Sequence, residues 1–255
     1  MKRGIAVLAF TGILCLSLTA KGMEGESVSV PTQEILQEQT QEEEKYVVVI
    51  DAGHQRVCDL SKEPIGPGAK QTKYKVSAGT SGCVTKIPEY ELNLQVALKL
   101  QAVLEERNYE VIMVRTENEV NISNSERAQI ANDANADVFI RIHANGCQDS
   151  SARGILTMCQ TSKNPYNAEF YEQSRLLSDC VLSQLKEETQ SKGYVSETDA
   201  MSGINWCQVP VTIVEMGYMT NPKEDRLMAT QEYQDKLANG MADGIDAYFA
   251  SLSAE

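Results

Sequence analysis

Only two histidines, His54 and His143, occur in the 255 residues. A centre of three imidazoles is therefore excluded, and a zinc site would have to recruit carboxylates. A basic stripe is missing too. Lys and Arg number 23 against 36 Asp and Glu, a net charge of −13, which argues against nucleic acid as a partner because phosphate binding needs clustered cations. No two cysteines stand at CxxC spacing, so a structural zinc knuckle is not expected. No internal repeat occurs, and nothing marks a second folded domain.

The N-terminus carries a different signal. Residues 1–22 join a basic start, MKR, to the apolar run GIAVLAFTGILCLSLTA, with small residues at Ala20 and Gly22. This pattern reads as a signal peptide for export, with an uncleaved membrane anchor as the alternative. Cys15 follows Leu14, which is too large for the usual lipidation signal. Residues 23–45 are acidic and rich in Glu, Gln, Ser and Thr, which predicts a flexible linker, with at most a helical turn at Ile35 and Leu36. Apart from Cys15, the cysteines are Cys58, Cys83, Cys147, Cys159, Cys180 and Cys207. An even count in an exported chain permits disulfides, and Cys58 with Cys83 is the first pair to test because it would close a long loop.

From residue 46 onward, apolar runs alternate with helical periodicity. VVVIDAGH (47–54), YEVIMVR (109–115), VFIRIHAN (138–145), GILTMCQ (154–160) and VPVTIVE (209–215) read as strands. Helices are expected at 91–107, 125–134, 167–185 and 233–252. Residues 55–88, with PIGPG and AGTSG, predict a long irregular loop. The class is α/β: one domain with a mostly parallel twisted sheet and helices on both faces.

Both histidines fall at strand ends, and in open α/β sheets the C-terminal strand edge is where ligands bind. Two imidazoles on that rim with one carboxylate would complete a three-ligand zinc site and leave a position for water. Glu89, just ahead of the first helix, is one candidate for the acid and Glu91 is its competitor. The charge of Glu89 alone would equally favour the helix N-terminus. Glu215 ends a run that otherwise reads as buried, where an unpaired carboxylate is costly, so it belongs at the open mouth facing the metal. Asp51 could orient an imidazole or satisfy the turn after its strand. The cations Arg56, Lys62, Lys70, Lys73, Lys75 and Lys86 crowd the loop between His54 and Glu89 and could meet an anionic ligand or simply face water.

DAGH (51–54), PEYELNLQVALKL (88–100), RTENEVNISNSERAQIANDANADVFIRIHANG (115–146) and VPVTIVEMGYMTNPKED (209–225), in that order, resemble the zinc-dependent N-acetylmuramoyl-L-alanine amidases of bacterial cell walls, the type 3 amidase domain. The resemblance spans about Tyr46 to Leu252, so residues 46–255 are expected to form the catalytic domain. It implies one zinc held by His54, Glu89 and His143, and settles Glu89 over Glu91. It also implies Glu215 as the catalytic glutamate, and peptidoglycan as the substrate. The reaction implied is hydrolysis of the amide between N-acetylmuramic acid and the L-alanine of the stem peptide, with Glu215 moving a proton from water to the departing amine. Arg127 and Asn145 recur in the family pattern, although a helix-surface salt bridge and a turn explain them equally well. Many members have Pro and Gly where this chain has Ala52 and Gln55, which alters loop stiffness beside the first ligand. The implied location is outside the cell, at the wall. A non-catalytic wall-binding relative and a zinc exopeptidase are the alternatives.

Overall fold

A computed structural model describes residues 45–253. The expected signal peptide or anchor and nearly all of the expected linker, including Ile35 and Leu36, lie outside the described residues. Among the described residues no helix is long and apolar enough to cross a membrane.

Four strands with apolar side chains on both faces form the centre of the sheet. They are β1 (Val47–Ala52), β4 (Glu110–Met113), β5 (Val138–Asn145) and β8 (Val211–Tyr218), all mutually parallel in the order β4-β1-β5-β8. Burial on both faces is what a parallel strand run such as VVVIDA or VFIRIH encodes. Beyond β8 the direction reverses: β6 (Ile155–Cys159) pairs antiparallel with β8, and β7 (Gly193–Glu197) lies outside it as an edge.

Alternation along each strand divides the core in two. Val48, Ile50, Ile140, Ile142 and Val214 face α1 (Glu89–Glu106), α3 (Tyr171–Thr189) and α6 (Gln231–Ser253). Val49, Phe139, Val211 and Ile213 face α2 (Asn124–Asp133) and α4 (Ser202–Asn205). Helices thus cover both faces of a mostly parallel sheet, as the sequence predicts. The second face matters most for function, because its stripe continues upward into Asp51, Arg141, His143 and Glu215.

The structure departs from the sequence reading in several places. Residues 55–88 are not irregular throughout: β2 (Asp59–Pro64) and β3 (Thr72–Val76) pair as an antiparallel hairpin. The strands are polar on both faces, so no alternation betrays them. The edge strand β7 and the short helices α4 and α5 (Pro222–Met228) are likewise too brief or too polar to show a period. Helix α1 begins at Glu89 itself, with Pro88 as its N-cap. Cys58 and Cys83 are both free, as are the other four described cysteines. The loop they were expected to close is organised instead by the hairpin and by backbone bonds such as Cys83 N–H to the Met219 carbonyl, 2.9 Å.

Helix α2 starts with a capping box. Ser123 accepts the Glu126 N–H at 3.2 Å while the Glu126 carboxylate accepts the Ser123 N–H at 2.8 Å. This fixes the first turn, and with it Arg127. Ser123→Ala is expected to lower global stability by about 1 kcal/mol in urea denaturation, the usual cost of losing such a cap.

Candidate metal centre

His54 lies two residues beyond β1 and adopts a left-handed backbone, φ 61°. A non-glycine residue there is strained, and such strain persists only where the surroundings enforce it. Two arginines do so. Arg115 donates from Nε to the Ala52 carbonyl (2.7 Å) and from Nη2 to the Gly53 carbonyl (3.2 Å). Arg127 donates to the carbonyls of Ala52 (3.1 Å), His54 (3.1 Å) and Ile122 (3.0 Å), to the Gln55 side chain (2.9 Å), and to Asp51 (2.5 Å). All five of its donors are used. Arg127 is therefore a buried brace, not a surface salt bridge.

Gln55 departs from the family pattern but earns a place here. Its Oε1 also accepts the Ile122 N–H at 3.0 Å, and its Nε2 donates to the Val57 carbonyl at 3.0 Å, which stiffens the loop after His54.

The expectation that Asp51 orients an imidazole is not met. Its carboxylate lies between Arg127 and Arg141, with Arg141 Nε at 2.9 Å and Nη2 at 2.8 Å. Burial opposes its charge, but the two guanidiniums hold its carboxyl far below the usual carboxylate range. Histidine orientation comes instead from the backbone: His54 Nδ1 donates to the Ser77 carbonyl at 2.9 Å. A carbonyl can only accept, so this bond fixes the proton on Nδ1 and leaves Nε2 of the neutral ring as a lone pair.

His143 and Glu215 are register partners on the adjacent strands β5 and β8. The His143 ring packs against the backbone of Gly53, where a Cβ would come within 2.2 Å of the ring, so glycine is the residue that fits. Glu89, at the start of α1, reaches back between the histidines. Its Oε1 lies 3.1 Å from His54 Nε2 and 3.1 Å from His143 Nδ1. Its Oε2 accepts the Thr80 N–H at 2.8 Å, and Asn93 donates to Oε1 at 3.4 Å.

These three residues can hold a metal ion. Tetrahedral ligands at ~2.1 Å from zinc stand ~3.4 Å apart; Glu89 Oε1 lies 3.1 Å from each imidazole nitrogen, and all three ligand atoms lie within 4.8 Å of one another. The donor chemistry agrees. The His54 lone pair faces a carboxylate oxygen, two acceptors whose repulsion a shared cation relieves. Burial pushes His143 down to about 4, so its ring is neutral and able to ligate at pH 7. Burial works against the Glu89 charge, yet the two imidazoles beside it hold the carboxyl well below its ordinary value.

Glu215 has the opposite environment. Its Oε2 is buried without a hydrogen-bond partner, and burial, reinforced by the Glu89 charge, pushes its carboxyl up to about 8 despite nearby Arg141. Two cavities meet at this point. One, of about 280 Å³, runs from the histidines past Glu215 to Lys73, Asn124 and Arg141; the other, of about 310 Å³, is lined by Glu89, Thr80 and Asn145.

Of the loop cations, Lys73 lines the first cavity. Lys62 lies over the Tyr74 ring, Arg56 pairs with Glu119, and Lys86 donates to the Cys83 carbonyl. Asn145 closes a turn by accepting the Gly146 N–H at 2.8 Å. The sequence reading missed Ser77, Asn93, Arg115 and Arg141. The two arginines did leave a signal: each interrupts or ends an apolar strand, where an unpaired cation is costly.

Two stability measurements check these assignments. Asp51 has a depressed folded pKa, so its contribution is present above its unfolded value near ~3.9 and is lost as pH falls towards the folded one. Asp51→Asn is expected to lose ~3–5 kcal/mol at pH 7, through uncompensated buried guanidinium charge, and to flatten the acid limb of stability against pH. Glu215 has a raised folded pKa. Its cost is absent below the unfolded value and grows as pH rises towards about 8. Glu215→Gln should therefore raise the melting temperature of metal-free protein at pH 8 and leave it unchanged at pH 4.

Comparison with known proteins agrees with this architecture. Residues 48–247 match the family described as N-acetylmuramoyl-L-alanine amidase. An N-acetylmuramoyl-L-alanine amidase of Mycobacterium tuberculosis is 29% identical over 215 residues, covering 80% of this chain and 87% of the relative. The crystal structure of an N-acetylmuramyl-L-alanine amidase of Mycobacterium smegmatis superposes with a TM-score of 0.74 at 26% identity, over 81% of this chain and 97% of that one. That of Clostridium difficile gives 0.65 at 28% identity, over 81% and 98%. With the family match running across the sheet and every residue of the histidine and glutamate cluster, the chain belongs to the N-acetylmuramoyl-L-alanine amidase family.

Proposed function

We propose that this chain is a zinc-dependent peptidoglycan hydrolase that cleaves the amide between N-acetylmuramic acid and the L-alanine of the stem peptide. The observation that carries the reading is the convergence of His54 Nε2, Glu89 Oε1 and His143 Nδ1 beside a buried, unpartnered Glu215 oxygen. His54, Glu89 and His143 would hold one zinc ion. Zinc bound there supplies Lewis acidity, which polarises a carbonyl and acidifies water.

The protein's own groups do the rest. Ser77 keeps the His54 lone pair turned inward, and the arginine-braced turn keeps the ring in place. Glu215 accepts a proton from water at its free Oε2 and returns it to the departing amine nitrogen. Burial and the Glu89 charge raise this carboxyl in the metal-free site, and a dication held beside it would favour the ionised form that accepts a proton. The two cavities leave room for substrate on either side of the reacting carbon. Residues 46–255 form the catalytic domain in this reading, and residues 1–22 with 23–45 deliver it across the membrane and space it at the wall.

Purified protein incubated with zinc and muropeptides should release peptide-free glycan. Products cut elsewhere in the peptide would instead favour an exopeptidase, and no release at any zinc loading would sink the reading. Glu215→Ala should lower kcat by ~10²–10⁴-fold while metal analysis still finds about one zinc per chain. His143→Ala should lose the zinc itself.

A further inference from the structure

Arg141 has no role in the chemistry above, yet it sits two residues before His143 on the same face of β5 and is only 3% exposed. Its Nε and Nη2 are committed to Asp51, and Nη2 also donates to Asn124 Oδ1 at 2.8 Å. Nη1 makes no hydrogen bond among the described residues, and the side chain lines the cavity that leads away from Glu215. The guanidinium is fixed in plane. It lies over the Phe139 ring on one side and beneath Gly203 of α4 on the other, where an added Cβ would come within 1.8 Å of Nη1.

Its charge is only partly answered. Asp51 is shared with Arg127, so one carboxylate serves two buried guanidiniums. Lys73 enters the same cavity from β3, spending one of its three donors on the Ala200 carbonyl at 2.8 Å. Among the described residues Glu215 is the only acid lining this cavity, and it stands at the reacting end. A buried cation with a spare donor aimed into a pocket is costly unless an anion completes it.

We infer that Arg141, assisted by Lys73, reads a carboxylate on the peptide half of the substrate. This rests on the proposed amide as substrate, whose two halves differ in charge: the N-acetylated sugar is neutral, whereas the stem peptide carries carboxylates. The cationic cavity therefore takes the peptide, and the scissile carbonyl lies between it and the sugar.

The test uses N-acetylmuramoyl-L-alanyl-D-glutamate and its diamide, in which amides replace both glutamate carboxylates. Binding is measured by calorimetry on zinc-supplemented Glu215→Gln protein, so turnover does not interfere. The acid should bind about tenfold more tightly than the amide, as a lost charge-assisted hydrogen bond implies, and Arg141→Gln added to that protein should bring the ratio near one. Equal binding of the two ligands, or a preference that survives Arg141→Gln, overturns the assignment. If Arg141→Gln fails to fold, Gly203→Ala decides: its methyl displaces Nη1 but leaves the Asp51 pair available, and the preference should fall there too. Failure of wild-type protein to cleave either ligand would count against the amidase reading alone, because the binding ratio is read without cleavage.

Discussion

The backbone turn at residues 52–54 is the constraint on which the site depends. Three successive carbonyls point away from the regular ladder there, and His54 sits in a conformation that non-glycine residues avoid. Left to itself such a turn would relax. Arg115 and Arg127 prevent this by accepting the load of those carbonyls, while Asn93 donates to the Gly53 carbonyl at 3.1 Å. Once the turn is fixed, Gly53 gives His143 its packing surface, and Glu89 has two imidazoles to meet. Side chains from α1, α2 and the segment after β4 thus determine the position of one histidine.

The electrostatic arrangement follows from that brace. Three buried guanidiniums, Arg115, Arg127 and Arg141, surround the site together with three buried or half-buried carboxylates, Asp51, Glu89 and Glu215. Formal charges balance when all are ionised. A divalent cation held by the histidines and Glu89 would shift this centre to net positive charge, within a protein whose overall charge is −13. Such a centre would favour negative charge growing on a carbonyl oxygen under attack.

How much of this was legible in the sequence depends on whether a feature had a period or a motif. The central strands and long helices were, because VVVIDA, VFIRIH and the α1 and α6 patterns each repeat apolar residues over enough positions to fix a face. The association of His54, Glu89, His143 and Glu215 was legible through motif order, and the geometry brings all four together. The β2–β3 hairpin was not, since DLSKEP and TKYKV lack alternation. The arginine partners of Asp51 were not legible, because sequence places it near His54 and gives no hint of Arg141, which reaches it across a strand pair. Arg115 and Arg141 were visible as charges in apolar runs, but only the fold shows which carbonyls and which carboxylate answer them.

The register of His143 against Glu215 has a consequence for how the protein acquires its chemistry. Positions 54, 89, 143 and 215 are far apart along the chain, and parallel pairing of β1, β5 and β8 brings together segments separated by whole helices. Contacts of such long range form late, because loop-closure entropy must be overcome before they reward the chain. No fragment ending before β8 holds all four residues. The completed sheet is therefore what brings the four residues to one place.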